Sequence, residues 1–205
     1  MSDRNKAVLL ASGNFRTPAG RISYPYIFNT NPKAKTRKEP IRLKYTVSLL
    51  IPPGADLTML KDAAAAKAKE KFGDKLNDDL FRRKFSSPFL DAADHERGFD
   101  GWTLMRFTSL DAPKVVDHRG NYVTEPREVY AGRWAFLSVN PFAYDGEKNG
   151  SSFGFVNVQL LEHADALASG GKGAMPEKEF AAVEIEGETQ SAAPTAPKSA
   201  ADIFG

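Results

Sequence analysis

Residues 41–51 read IRLKYTVSLLI. This spacing sets Ile41, Leu43, Tyr45, Val47, Leu49 and Ile51 on one side of an extended chain and Arg42, Lys44, Thr46 and Ser48 on the other. Side chains two residues apart share a strand face, so the pattern demands a strand with one side in a core. Pro52-Pro53-Gly54 stops it. Residues 20–28 repeat the alternation with Ile22, Tyr24, Tyr26 and Phe28, and further strands are predicted at 102–108, 115–116, 128–139 and 153–161. One helix stands out: Asp56 can cap it, Leu60, Ala64, Ala68 and Phe72 recur at a spacing of four, and Gly73 closes it. A second, short helix is predicted over 78–85. Many strands with little helix imply a mostly β fold, a small closed or partly open barrel, with a sandwich as the alternative.

The segments between are polar. Residues 29–40, NTNPKAKTRKEP, read as a proline-bounded basic loop, and residues 86–101 as an acidic one. After about residue 163 the composition changes. Gly170-Gly171-Lys172-Gly173 reads as a hinge, and residues 188–201 hold hardly an apolar anchor to offset the entropy of folding. A folded domain is therefore expected over residues 1–165 and a flexible acidic tail over 166–205.

Charge is distributed unevenly. Residues 1–50 carry ten basic side chains against Asp3 and Glu39, whereas residues 176–205 carry six acidic ones against Lys178 and Lys198. A basic body with an acidic end suits a protein that binds a polyanion. The chain has no cysteine, which excludes disulfides, thiolate metal sites and thiol nucleophiles. No apolar run approaches the length of a membrane span, and the first residues lack the apolar core of a secretory signal, so a soluble, unexported protein is expected.

Lys33, Lys35, Arg37 and Lys38 run directly into Arg42 and Lys44 on the polar face of the long strand. Charge in a loop often serves only solubility. Here loop and strand are contiguous, and together they can form one cationic groove that follows a phosphate backbone. Unpaired bases stack on aromatic rings with little regard to sequence, so the useful rings should stand beside cations. In YAGRWAFLSVN, Tyr130, Trp134 and Phe136 share a face with Arg133 opposite, and Trp102 and Arg106 share a face on another strand. Alternating aromatics are more commonly core residues; the expectation is that at least one of Trp102, Tyr130 and Trp134 meets a base. Arg82, Arg83 and Lys84 read as a solvated helix face.

Signals for catalysis are thin. The acidic stretch Asp91, Asp94, His95, Glu96 and Asp100 is the one cluster that could hold magnesium for a nuclease, and it lacks a defined ligand spacing. There is no phosphate-binding glycine loop and no nucleophile elbow. The expected protein is a non-catalytic nucleic-acid binder without a cofactor, and a magnesium-dependent nuclease or recombination enzyme is the alternative.

Six segments, in order, carry a family resemblance: GRISYPYIFN (20–29), KYTVSLLIP (44–52), APKVVDHRGN (112–121), YAGRWAFLSVNPFAYD (130–145), SFGFVNVQLL (152–161) and EKEFAAV (177–183). Together they resemble the single-stranded-DNA-binding proteins of tailed bacteriophages. The resemblance implies an oligonucleotide-binding fold, a five-stranded barrel with elaborations. It also implies a role in coating single strands during phage replication and recombination, in the cytoplasm of the infected host. Binding of duplex DNA, more weakly or comparably well, and of RNA stays open, because phosphate contacts do not read the sugar or the strand number. The ending partly resembles the acidic tips through which such proteins dock replication partners. Asp202, Ile203 and Phe204 would serve there, although Gly205 follows the phenylalanine and most acids lie upstream at 177–188. A further expectation is that the tail occupies the basic groove when DNA is absent.

Overall fold

The computed structural model describes residues 3–37 and 39–167. Nine strands are found among them: β1 (Val8–Leu9), β2 (Phe15–Arg16), β3 (Gly20–Lys35), β4 (Leu43–Ile51), β5 (Leu90–Asp91), β6 (Thr103–Ser109), β7 (Lys114–Val116), β8 (Trp134–Tyr144) and β9 (Gly150–Leu160). Two α-helices, α1 (Thr58–Phe72) and α2 (Asp79–Lys84), lie between β4 and β5. The fold is mostly β. No helix among the described residues is long and apolar enough to cross a membrane.

Five strands close on themselves. β8 pairs β3, β3 pairs β4, β4 pairs β6, β6 pairs β9, and β9 returns to β8. All these pairings are antiparallel except β6 with β9. The ring encloses Val47, Leu49 and Ile51 from β4, the inward side chains that alternation predicts, together with Met105 and Phe107 from β6. Leu137 and Val139 join from β8, and Phe153 and Phe155 from β9. Helix α1 packs on β8 and β9 and buries the predicted stripe Leu60, Ala64, Ala68 and Phe72. Asp56 accepts the Thr58 amide at 2.9 Å just ahead of α1. Hydrogen bonds from the Thr58 backbone and hydroxyl hold the Asp56 carboxyl below the usual carboxylate range.

Gly20 in β3 lies tightly against β4. A Cβ there would stand 2.6 Å from Leu49 Cγ and 2.7 Å from the Leu50 carbonyl oxygen. Gly20→Ala should therefore cost about 1–3 kcal/mol, the usual size of overpacking in a tight core. Thermal unfolding checks this, and an unchanged midpoint would contradict the spacing.

Three sequence expectations need correction. Residues 29–35 are strand, not loop, because β3 and β4 continue past the ring as a projecting hairpin with Asn31 opposite Lys44 and Lys35 opposite Leu43. Strand pairing needs only backbone groups, so a ribbon wet on both sides can be as polar as a loop. Ile41 and Leu43 lie near the end of this hairpin and are exposed. In β3 the alternation breaks at Tyr24, a non-glycine residue at φ +47°, and the register with β4 shifts between Ser23 and Tyr26. Beyond this bulge Ile27 is the fully buried residue, Phe28 only packs partly against the core, and Tyr26 does not join it. Finally, β8 begins only at Trp134, leaving Tyr130 and Arg133 in the turn before it.

A second small core lies on the outer side of β4 and β6. Leu50, Ala92 and Leu104 form it, with Phe99, Trp102 and Leu167 packed around them. Residues 161–167 thus still belong to the packed body.

Candidate nucleic-acid interface

The outer face of β3, β4 and β6 is polar where the second core does not cover it. Cross-strand pairs set Ser48 opposite Arg106, Thr46 opposite Thr108, and Tyr26 opposite Thr46. The bulge turns Tyr24 out of the core, leaving it 62% exposed. These side chains line a trough of about 460 Å³ whose rings are Tyr24 and Tyr26 and whose cations are Lys33 and Arg106. Through Thr108 it adjoins a second recess that contains Arg37, Arg42, Lys44 and the ring of Phe142. Rings and cations therefore share one continuous surface from the bulge to the hairpin.

The cations there are open to a new anion. Among the described residues Lys33, Lys35 and Lys44 make no ion pair. Arg42 reaches Asp111 at 3.8 Å and Arg37 reaches Glu147 at 3.9 Å, with all four side chains well exposed. Such pairs are weak and screened, so a phosphate can replace them. Arg106 lies 3.2 Å from His95 Nδ1, a contact whose donor depends on the histidine tautomer.

Of the residues singled out from sequence, Lys33, Arg37, Arg42, Lys44 and Arg106 line this surface. Lys35 is exposed at the end of β3, and Lys38 lies outside the described residues, as do Asp202, Ile203 and Phe204. The remaining four go elsewhere. Trp102 packs into the second core, edge-on to Phe99 at 5.0 Å and 6.2 Å from Trp134. Trp134 is covered by the guanidinium of Arg4 at 4.9 Å, and Arg4 in turn pairs with Glu162. Burial alone would raise the Glu162 carboxyl, but the hydrogen bond from Arg4 prevails and holds it below the usual range. The Tyr130 hydroxyl donates to the Ala164 carbonyl at 3.0 Å, and its ring stacks on His163. Arg133 is 6% exposed and donates to the Leu161 carbonyl at 3.0 Å and to Glu128 at 3.1 Å. Tyr130 and Arg133 thus fasten residues 161–164 to the ring, and none of the four lines the trough.

Tyr24 and Tyr26 are the rings that alternation misassigned to the core. Pro25 between them carries the missing signal: proline has no amide to give a strand ladder and marks a bulge or an edge. The acidic stretch does not assemble as a metal site. Among the described residues no three acidic or histidine side chains converge to hold an ion. Asp91 instead accepts the Ala93 amide, and Glu96 bonds Ser23.

The family model described as Enterobacter phage Enc34, ssDNA-binding protein, matches residues 15–190. The chain belongs to this family. Solved structures agree with this phage single-stranded-DNA-binding family in fold. The single-stranded DNA-binding protein from bacteriophage Enc34 in complex with ssDNA is 17% identical, with a TM-score of 0.59 over 82% of this chain and 96% of that one. A second structure of the single-stranded DNA-binding protein from bacteriophage Enc34 gives a TM-score of 0.60 at 16% identity, over 88% of this chain and 97% of that one. The single-stranded DNA-binding protein gp2.5 of bacteriophage T7 is 19% identical, with a TM-score of 0.55 over 80% of this chain and all of that one. No curated protein matches the sequence.

Proposed function

We propose that this protein binds single-stranded DNA and coats it during phage replication and recombination, in the cytoplasm of the infected bacterium and without catalysing a reaction on it. The observation that carries this reading is the trough itself, where the outward rings of Tyr24 and Tyr26 adjoin Lys33 and Arg106 on one polar sheet face. Family membership supports the same conclusion. The closed five-strand ring with one parallel pairing is read as an oligonucleotide-binding barrel, whose outer face and hairpins grip a strand. Phosphates are held by Lys33, Lys44, Arg37, Arg42 and Arg106, with Lys35 adding charge at the end of β3 and Lys38 belonging to the same basic run of sequence. Bases stack on Tyr24 and Tyr26, and Phe142 offers a ring at the far end.

Duplex DNA binds more weakly on this reading, because its bases are already stacked and cannot reach the rings. The acidic end with Asp202, Ile203 and Phe204 is read as a docking element for replication proteins. The division into a domain and a tail belongs to the same proposal, with the boundary expected at 165/166 moved past Leu167, which packs in the second core. Anisotropy titration with labelled single- and double-stranded oligonucleotides at two salt concentrations tests it. Tighter binding of single strands, weakened by salt, is expected; equal affinity for duplex would remove stacking from the account. The labelled strand should also stay intact with magnesium, and turnover would restore the nuclease alternative.

A further inference from the structure

Tyr24 and Tyr26 also form a wall of a neighbouring recess of about 380 Å³, at the end of the trough beside the second core. Pro25, Ala131 and Leu167 supply apolar walls, and Ser23 and Glu96 supply its polar groups. The site is built rather than incidental. Ser23 is 2% exposed, and its hydroxyl donates to Glu96 Oε1 at 2.9 Å, which orients the carboxylate and leaves it further acceptor capacity. The Leu167 wall is held as firmly. The Leu167 amide donates to the Ala131 carbonyl at 2.9 Å, and Arg21 donates to the carbonyls of Gly132 (3.0 Å) and Asp165. Gly132 packs so closely that a Cβ would stand 2.4 Å from the Asp165 oxygen.

A carboxylate repels phosphates; Glu39 and Asp145 also line the adjoining recess, but Glu96 differs from them in being held in place by the buried Ser23 hydroxyl. It fits a different task, because an ionised carboxylate accepts hydrogen bonds and donates none. We propose that this recess receives one nucleobase, stacked against the tyrosine wall, and that Glu96 selects it by accepting its N–H groups. Guanine suits it best, with adjacent ring and exocyclic N–H donors, and cytosine and adenine follow with their amino groups. Thymine is disfavoured, because its single N–H lies between two carbonyl oxygens that would face the carboxylate. The inference rests on the single-stranded-DNA reading and adds a modest base preference at one position of a trough that is otherwise indifferent to sequence. A recess of this size admits a base and excludes a base pair still joined in a duplex.

The test compares short oligo(dC) and oligo(dT) of equal length on the full chain at mildly alkaline pH, since the two pyrimidines share ring size and differ at the group Glu96 would meet. The expected result is about fivefold or more tighter binding of dC, the lower end of what a base-edge contact provides. Glu96→Gln should collapse that ratio, because an amide serves both bases. A single dG placed within the dT oligomer should restore affinity to the wild type and not to the variant. Equal binding of dC and dT by the wild type would overturn the proposal, whether or not the variant folds. So would a uniform rise in affinity for both oligomers in Glu96→Gln, which would mark Glu96 as a source of repulsion alone. Binding of neither oligomer would overturn the underlying DNA reading as well, so the two failures are distinct.

Discussion

Replacing Tyr24 and Tyr26 together by alanine should weaken single-stranded DNA binding by about thirtyfold or more. Each base stacked on an aromatic ring contributes roughly 1–3 kcal/mol, and about 1.4 kcal/mol corresponds to a tenfold change in affinity. The two rings carry little of the fold. Tyr24 is largely exposed, Tyr26 is half-buried on the trough side, and neither joins the principal core. The loss should therefore appear in anisotropy titrations while the unfolding midpoint stays close to wild type. Phenylalanine at both positions should keep most of the affinity, because stacking uses the ring rather than the hydroxyl. If the double alanine variant binds as tightly as the parent, bases do not lie in this trough.

The second large effect concerns salt. For single strands the logarithm of affinity falls with the logarithm of salt at a slope near −0.7 per phosphate neutralised. Changing Lys33, Lys35, Arg37 and Lys38 together to alanine removes a run of cations that begins on the projecting hairpin. The slope should become shallower by about 2–3 units. Binding should weaken on every sequence alike, most at low salt, and converge with wild type at high salt. Arg37 is expected to give least, because its exposed contact with Glu147 already offsets part of its charge. A slope that does not move would remove the hairpin from the path of the strand.

How much of this was legible in the sequence depends on what each signal measures. Alternation reports a strand with one wet and one dry side, and it located the inward Val47, Leu49 and Ile51 and the outward Thr46 within β4. The spacing of four found the buried stripe of α1. Where β3 leaves the ring both its sides are wet, so Asn29 to Lys35 resembled a loop. At Tyr24 the backbone itself changes hand, and a count of every second residue cannot register that. The Tyr130–Arg133 pattern misled for another reason. The partners of those side chains lie about thirty residues onward, at Leu161, His163 and Ala164, and no local period reveals such a bond. Most of the cations stay on the surface, because a charged side chain rarely goes inside, and Arg133 is buried only because Glu128 and the Leu161 carbonyl receive it.

The closure of the ring through β9 has a consequence for how the protein is made. β9 meets β6, β7 and β8 at once, so three strands formed earlier in the chain lack a neighbour until Gly150–Leu160 has left the ribosome. Contacts between residues so far apart in the chain form slowly, because loop entropy is lost before any pairing rewards it. A polypeptide halted before residue 150 carries most of the apolar strands with no means of covering them, and aggregation or degradation is its expected fate.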